Sequence, residues 1–486
     1  MGASVKAWID NVIKPEQIEK YLNKGKTFID EEYIMTTLNN AKNPDRSYIK
    51  EIIAKSLELN RLEPEETAAL LNCTDDDLWE EMFAAGGKIK QAVYGRRIVI
   101  FAPLYVSNHC VNNCVYCGFR NENNKTIRKQ LAPDELRQEI LALIRKGHKR
   151  LIMVYGEHPQ SDVNFIAETL QIAYSTKEGN GEIRRCNVNA APMSIEDLKL
   201  LRQVGIGTFQ VFQETYHPET YRKLHPRGIK ADYKWRLYAL HRAMDAGVDD
   251  VGMGALFGLY DPKFEVMGLL LHIIDLETKF GGIGPHTISF PRIEPAHNTP
   301  FTHSLTNAVD DQLFKKIVTV IRLSVPYTGM ILTARESPQI RQDIIPVGIT
   351  QIDAGSNIGV GAYSSDTLDY ERQQFILGDN RSLDETIQDL ARMGYITSFC
   401  TADYRCGRTG HHFMDIAKCG KIHTLCIPNA ILTFKEYLLD YASEETQKVG
   451  QKLIAQELEA IANPALRNKV AEMLTEIENG ARDLYL

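Results

Sequence analysis

The chain has no excess of positive charge: 56 Lys plus Arg stand against 63 Asp plus Glu, a formal net charge of -7. It therefore carries no basic footprint for nucleic acid, and a small, zwitterionic substrate suits the balance better. No apolar run reaches the length of a membrane span; GLLLHIIDL is too short. The N-terminal stretch has neither an apolar signal core nor an Arg-rich transit pattern, so a cytoplasmic protein that binds neither membrane nor nucleic acid is expected. Low-complexity segments are missing, and 44% apolar with 24% charged residues exclude intrinsic disorder.

What is present in quantity is cysteine. Nine cysteines in a chain of 486 residues without an export signal point to metal or redox chemistry instead of disulfides. Cys110, Cys114 and Cys117 crowd into CVNNCVYC, Cys400, Cys406, Cys419 and Cys426 come late, and Cys73 and Cys186 stand alone. The lone pair reads as small buried hydrophobes.

Residues 1–93 carry helical periodicity with Asp or Pro at the helix starts and show no visible chemistry. From 94 to 375 short β-branched runs alternate with helix-period segments. Eight runs recur: IVIFA (98–102), LIMVY (151–155), CNVNA (186–190), TFQVF (208–212), DVGMG (250–254), HTISF (286–290), MILTA (330–334) and TQIDA (350–354). Eightfold alternation is the sequence form of an α/β fold of the (β/α)8 TIM-barrel type. Residues 376–486 read as a C-terminal helical, cysteine-bearing domain, and 1–93 as an N-terminal helical extension.

Polar residues follow the runs, where such barrels place their chemistry. Tyr105 and the cysteine cluster follow the first run, Gly156 and Glu157 the second, the third carries Asn189, Gln213 and Glu214 follow the fourth, and GALFGLYD the fifth. Arg292 follows the sixth, Arg335 and Glu336 the seventh. Taken singly, about half of these would be turn formers and caps. Three thiolates on one short loop can hold three irons of a cubane and leave the fourth open; a zinc site completed by His109 is the alternative.

The C-x3-C-x2-C spacing with Tyr116 before the last cysteine resembles the radical S-adenosylmethionine (SAM) enzymes. The resemblance implies a 4Fe-4S cluster on Cys110, Cys114 and Cys117 whose open iron binds SAM. It places Glu157 of VYGE at the SAM amino group, and Asn189, Gln213, Glu214, Gly252, Gly254 and Gly258 among the SAM-contacting positions. FAPLYVSNHCVNNCVYCGF, FQETYHPETY, GPHTISFPRIEP and CIPNAILTFKEYLLDYAS extend the likeness over nearly the whole chain, which resembles the HydG family, the tyrosine lyases of FeFe-hydrogenase maturation. That family cleaves the Cα–Cβ bond of L-tyrosine to p-cresol and dehydroglycine and converts the latter to CO and cyanide on a second cluster. The resemblance implies a one-electron reductant such as flavodoxin or ferredoxin, and hydrogenase maturation proteins as partners. Arg335 is the expected partner of the tyrosine carboxylate, with Tyr105, Arg292 and Glu336 beside it; an ion pair of Arg335 with Glu336 or another barrel-mouth carboxylate is the bland alternative.

The family's second cluster uses C-x2-C-x22-C. Here Cys400 and Cys426 keep their places, but the middle position is Asp403. A carboxylate suits a soft iron-sulfur site less well than a thiolate. Asp403 as third ligand, replacement by Cys406 or Cys419, and no second cluster are open readings; a zinc site using His411, His412 and His423 is a fourth. Function follows these choices: a full lyase of the HydG type, a paralogue that stops at dehydroglycine or takes another aromatic amino acid, or an iron-sulfur carrier or scaffold.

Overall fold

The computed structural model of the chain describes residues 3–365, 371 and 373–486. Eight parallel strands close a barrel: β1 (Arg97–Ser107), β2 (Arg150–Tyr155), β3 (Arg185–Asn189), β4 (Phe209–Gln210), β5 (Val251–Gly254), β6 (Thr287–Ser289), β7 (Gly329–Leu332) and β8 (Gln351–Asp353). Closure is made by β8 pairing with β1, Val99 opposite Gln351 and Phe101 opposite Asp353. Each of the eight runs legible in the sequence supplies one strand. Parallel strands covered by helices are buried on both faces, which is why they read as short apolar-rich runs without polar alternation along their length.

β1 is longer than IVIFA because PLYVS goes on pairing with β2, from Ala102 opposite Leu151 to Ser107 opposite Tyr155. Pro103 is tolerated within it for a local reason. Val99 N donates to Thr350 O and Phe101 O accepts from Ala354 N, so the odd-numbered residues of β1 turn their backbone groups toward β8. β8 ends at Asp353, so the N–H that Pro103 lacks would have met no strand partner, and its carbonyl accepts from the Tyr363 hydroxyl at 2.7 Å.

The opposite edge explains an element the sequence does not display. β2 pairs with β1 only from Ala102 onward, which leaves the flank of Arg97–Val99 free. A ninth parallel strand, β9 (Ile396–Ser398), fills it, Arg97 opposite Ile396. Three residues are too few to carry a period, so sequence analysis reads this stretch as helix and loop. Helix His423–Asp440 packs behind it, and its fully buried Glu436 takes the Arg184 guanidinium at 2.9 Å and the Lys149 ammonium at 3.4 Å. At the N-terminal side, helix Asp76–Tyr94 is tied to the barrel's outer layer by Lys90 Nζ on Ile345 O and the Tyr94 hydroxyl on Tyr327 O.

Alternate side chains of β1 enter the barrel. Arg97 lies at one end, Phe101 packs on Ile152 and Ile331 midway, and Tyr105 lies at the other end. Ten residue steps at about 3.3 Å put the two ends of β1 roughly 33 Å apart. Each end of this strand faces a cysteine-bearing site. No helix among the described residues is long and apolar enough to cross a membrane.

Candidate active site

A cavity of about 210 Å³ opens at the C-terminal ends of the barrel strands. Cys110, Cys114 and Cys117 all line it. Their loop is pinned by backbone bonds between the cysteines, Val111 N to Glu157 O, Asn113 N to Arg227 O and Val115 N to Leu224 O, and by Gly118 N to Gln374 O just after them, at 2.9 to 3.2 Å. Every intervening anchor leaves the cysteine side chains free to face the cavity. Burial pushes the Cys110 thiol up to about 11, with the nearby Glu157 carboxylate adding to it, and raises the Cys114 thiol as well. Such thiols ionise only when a cation takes the thiolate charge, which is how cluster ligands behave. Three cysteines on a roomy cavity fit a cubane with one open iron. His109 does not line the cavity, which removes the fourth ligand of the zinc alternative.

Glu157 is buried and doubly held, accepting from Asn112 Nδ2 and from Arg236 Nη1, both at 2.8 Å. Burial alone would raise its pKa, but Arg236, Lys230 and the Asn112 amide together bring it below the usual carboxylate value. Glu214 accepts from Lys230 Nζ at 2.6 Å and adopts a φ of +69°, the left-handed region that costs a non-glycine residue about 1 kcal/mol. Asn189 also lines the cavity, donating to Gln210 O at 3.4 Å.

Other positions expected at the SAM site do not line this cavity. Gln213 is buried outside the cavity lining. Gly252 and Gly254 do not line it either; they let neighbouring strands approach. A Cβ on Gly252 would lie 2.7 Å from Gln210 Cγ, and one on Gly254 2.6 Å from Ser289 O. Gly258, at φ +110°, turns the chain against Ile293 and is also outside the lining.

After β6 and β7, Arg292 and Glu336 form a two-pronged ion pair, and Arg292 also binds Asp311 at 2.9 Å. Neither lines the cavity. Arg335 does, and among the described residues no carboxylate lies within ion-pair distance of it, although Glu294 and Glu214, which line the same cavity, act on its charge. Its guanidinium lies over the Phe375 ring, 3.3 Å from the centroid, and donates weakly to Arg292 O at 3.5 Å. The alternative pairing of Arg335 with Glu336 is thus not the arrangement found. Tyr105 lines the cavity and donates to Gln374 Oε1 at 2.9 Å.

Sequence reasoning passed over Asn112, Lys230, Arg236, Glu294, Gln374 and Phe375, all of which line the cavity. Asn112 lies inside the cysteine motif and was legible there. Lys230 and Arg236 come from a connecting segment with no strand or motif to mark it.

At the other end of β1, Cys400, Asp403 and Cys426 meet beside Arg97. Asp403 Oδ2 lies 3.5 Å from Cys400 Sγ and 3.3 Å from Cys426 Sγ, while Oδ1 lies 3.0 Å from Arg408 Nε. Cys406 and Cys419 are exposed, and neither they nor His411, His412 and His423 line this cavity. The space enclosed is about 10 Å³, room for about one water. Two thiols and a carboxylate already paired with Arg408 do not fit the soft three-thiolate set of a cubane.

A closed parallel barrel with three cysteines on the loop after its first strand and an anchored acid after its second defines a radical SAM enzyme. Residues 104–270 match the Radical SAM superfamily, and residues 289–396 the Biotin and Thiamin Synthesis associated domain. The chain belongs to the HydG family: it is 50% identical to a solved HydG, described as a maturase of the [FeFe]-hydrogenase, over 94% of this chain and 100% of that one, with a TM-score of 0.91. A HydG from Carboxydothermus hydrogenoformans is 37% identical over 95% of this chain and 99% of that one, with a TM-score of 0.80. The 2-iminoacetate synthase of Escherichia coli is 28% identical over 70% of this chain and 88% of its own length.

Proposed function

We propose that this enzyme cleaves the Cα–Cβ bond of L-tyrosine, giving p-cresol and dehydroglycine. When bound, the cluster and SAM supply a reductive cleavage that delivers a hydrogen-abstracting 5'-deoxyadenosyl radical. Cys110, Cys114 and Cys117 would hold the cluster. Glu157 is ionised and keeps lone pairs beyond those given to Asn112 and Arg236, so it can take an ammonium group. The observation that carries the substrate reading is Arg335, a guanidinium on the cavity wall without a carboxylate partner among the described residues. It offers a planar fork for an amino-acid carboxylate, and Phe375 holds the fork flat. Phe101, Ile152 and Ile331 give the cavity an apolar inner end. A one-electron reductant of the flavodoxin or ferredoxin type would serve the cluster.

Dehydroglycine and 2-iminoacetate are the same compound, so likeness to a 2-iminoacetate synthase supports this product. Asp403 favours an enzyme that stops there, because the second site does not fit the cluster on which CO and cyanide would form. Anaerobic incubation with SAM, dithionite and L-tyrosine, assayed for 5'-deoxyadenosine and p-cresol, tests the reading. Formation of 5'-deoxyadenosine without p-cresol, and a cleaved product from another aromatic amino acid, would overturn the substrate.

A further inference from the structure

The cysteine loop is braced by two side-chain amides as well as by backbone. Asn112 Nδ2 donates to Cys110 Sγ at 3.6 Å and to Glu157 at 2.8 Å. Gln374 does the corresponding work on the substrate side. Its Nε2 donates to Cys117 Sγ at 3.6 Å, and its Oε1 accepts from the Tyr105 hydroxyl at 2.9 Å. Cys117 Sγ also receives the Phe119 N–H at 3.4 Å.

The direction of the Gln374 amide follows from chemistry. A sulfur that ligates iron has lone pairs and no proton, so only the NH2 end of the amide can face it. The oxygen end then faces Tyr105, whose proton is committed to it and whose remaining lone pair faces outward. The backbone locks the same contact. Gly118 N donates to Gln374 O at 3.1 Å, and a Cβ on Gly118 would lie only 2.7 Å from that oxygen. The next residue, Phe375, carries Arg335 on its ring. One short segment therefore touches a cluster cysteine, Tyr105 and the proposed carboxylate anchor.

From this we infer that Gln374 is a positioning residue that raises the reduction potential of the cluster through its N–H···S bond and couples that potential to the contents of the cavity through Tyr105. The inference rests on the assignment of the cluster to Cys110, Cys114 and Cys117. An N–H aimed at a ligand sulfur stabilises the added electron, and cluster potentials respond to such bonds. Donation by Tyr105 into Oε1 polarises the amide and strengthens its N–H end. A substrate that donates a hydrogen bond to the Tyr105 oxygen strengthens the whole relay, so reduction is favoured when the cavity is filled.

The test is an EPR-monitored redox titration of the reconstituted full chain, with and without L-tyrosine. In the wild type, substrate should shift the one-electron reduction equilibrium about tenfold toward the reduced state, about 59 mV. Gln374→Leu should lower the potential by a similar amount and lose the substrate response. Gln374→Glu, which has a negative charge and no N–H, should lower it further, and Tyr105→Phe should keep most of the resting potential but lose the response. A cluster with wild-type potential and substrate response in Gln374→Leu overturns the inference and leaves the cluster assignment standing. Absence of any EPR-active cluster in the wild type overturns both.

Discussion

Glu336 clasps Arg292 with both carboxylate oxygens, and this pair leaves Arg335, its chain neighbour, facing the cavity without a carboxylate partner among the described residues. The two arginines after consecutive barrel strands thus divide their work: Arg292 holds the wall and Arg335 is available to an anionic ligand.

Replacement of Arg335 by Ala should lower kcat/KM for tyrosine about a hundredfold or more, the effect of about 3–5 kcal/mol lost with a buried charged partner. SAM affinity should change less, since Glu157 is held by Asn112 and Arg236 and not by Arg335. Arg292→Ala should behave differently, lowering Tm because it strands the buried Glu336. Steady-state kinetics with tyrosine and a thermal melt on each variant separate the two roles. Unchanged tyrosine kinetics in Arg335→Ala would move the carboxylate site elsewhere.

Replacing Cys110, Cys114 and Cys117 together by Ala should abolish 5'-deoxyadenosine formation, since three thiolates are the whole protein ligation of the proposed cluster. Residual formation at the wild-type rate would refute the assignment of these cysteines.

The second site gives a sharper contrast. Asp403 stands between Cys400 and Cys426 and is paired with Arg408. Wild-type protein reconstituted with iron and sulfide should therefore hold one cluster per chain and release little CO or cyanide while forming p-cresol. Asp403→Cys should raise the iron content, and loss of both Cys400 and Cys426 should leave p-cresol formation largely intact. Iron sufficient for two clusters in the wild type, together with stoichiometric CO, would show that the carboxylate is a competent ligand.

Glu265 makes stability pH-dependent. It accepts from Thr215 Oγ1 and from Tyr216 N, holding the turn that sets Glu214 at its positive φ. Full burial pushes its pKa up to about 8, against 4.5 for the ordinary group. A raised carboxyl pKa means that the fold prefers the protonated form. Its stabilising contribution is full below the unfolded pKa and is lost as pH rises toward about 8, with a slope of up to about 1.4 kcal/mol per pH unit. Denaturant unfolding between pH 5 and 8, a range taken from these two values, should show that slope in the wild type and a flatter profile in Glu265→Gln. Equal slopes would remove Glu265 from the account.

The sequence by itself determined the barrel, because strands buried on both faces must be written as β-branched runs and the intervening helices as amphipathic ones. It also determined the cysteine loop, whose three thiols lie within eight residues, although long-range backbone bonds hold that loop in place. Tertiary structure decided the rest. Only closure of the barrel brings Arg236 and Lys230 to Glu157 and Glu214, sets Gln374 between Tyr105 and Cys117, and chooses Arg292 over Arg335 as the partner of Glu336. The ninth strand exists because β2 leaves the first residues of β1 uncovered, a fact of register and not of local sequence. At the second site the sequence supplied Asp403 at the right spacing. Which of Cys406, Cys419 and Asp403 stands beside Cys400 and Cys426 was decided by the fold: the two cysteines are exposed, and the carboxylate lies between the remaining thiols. Spacing along a chain limits distance, whereas ligation depends on where side chains aim, and that is settled only when the helix carrying Cys426 packs against β1 and β9.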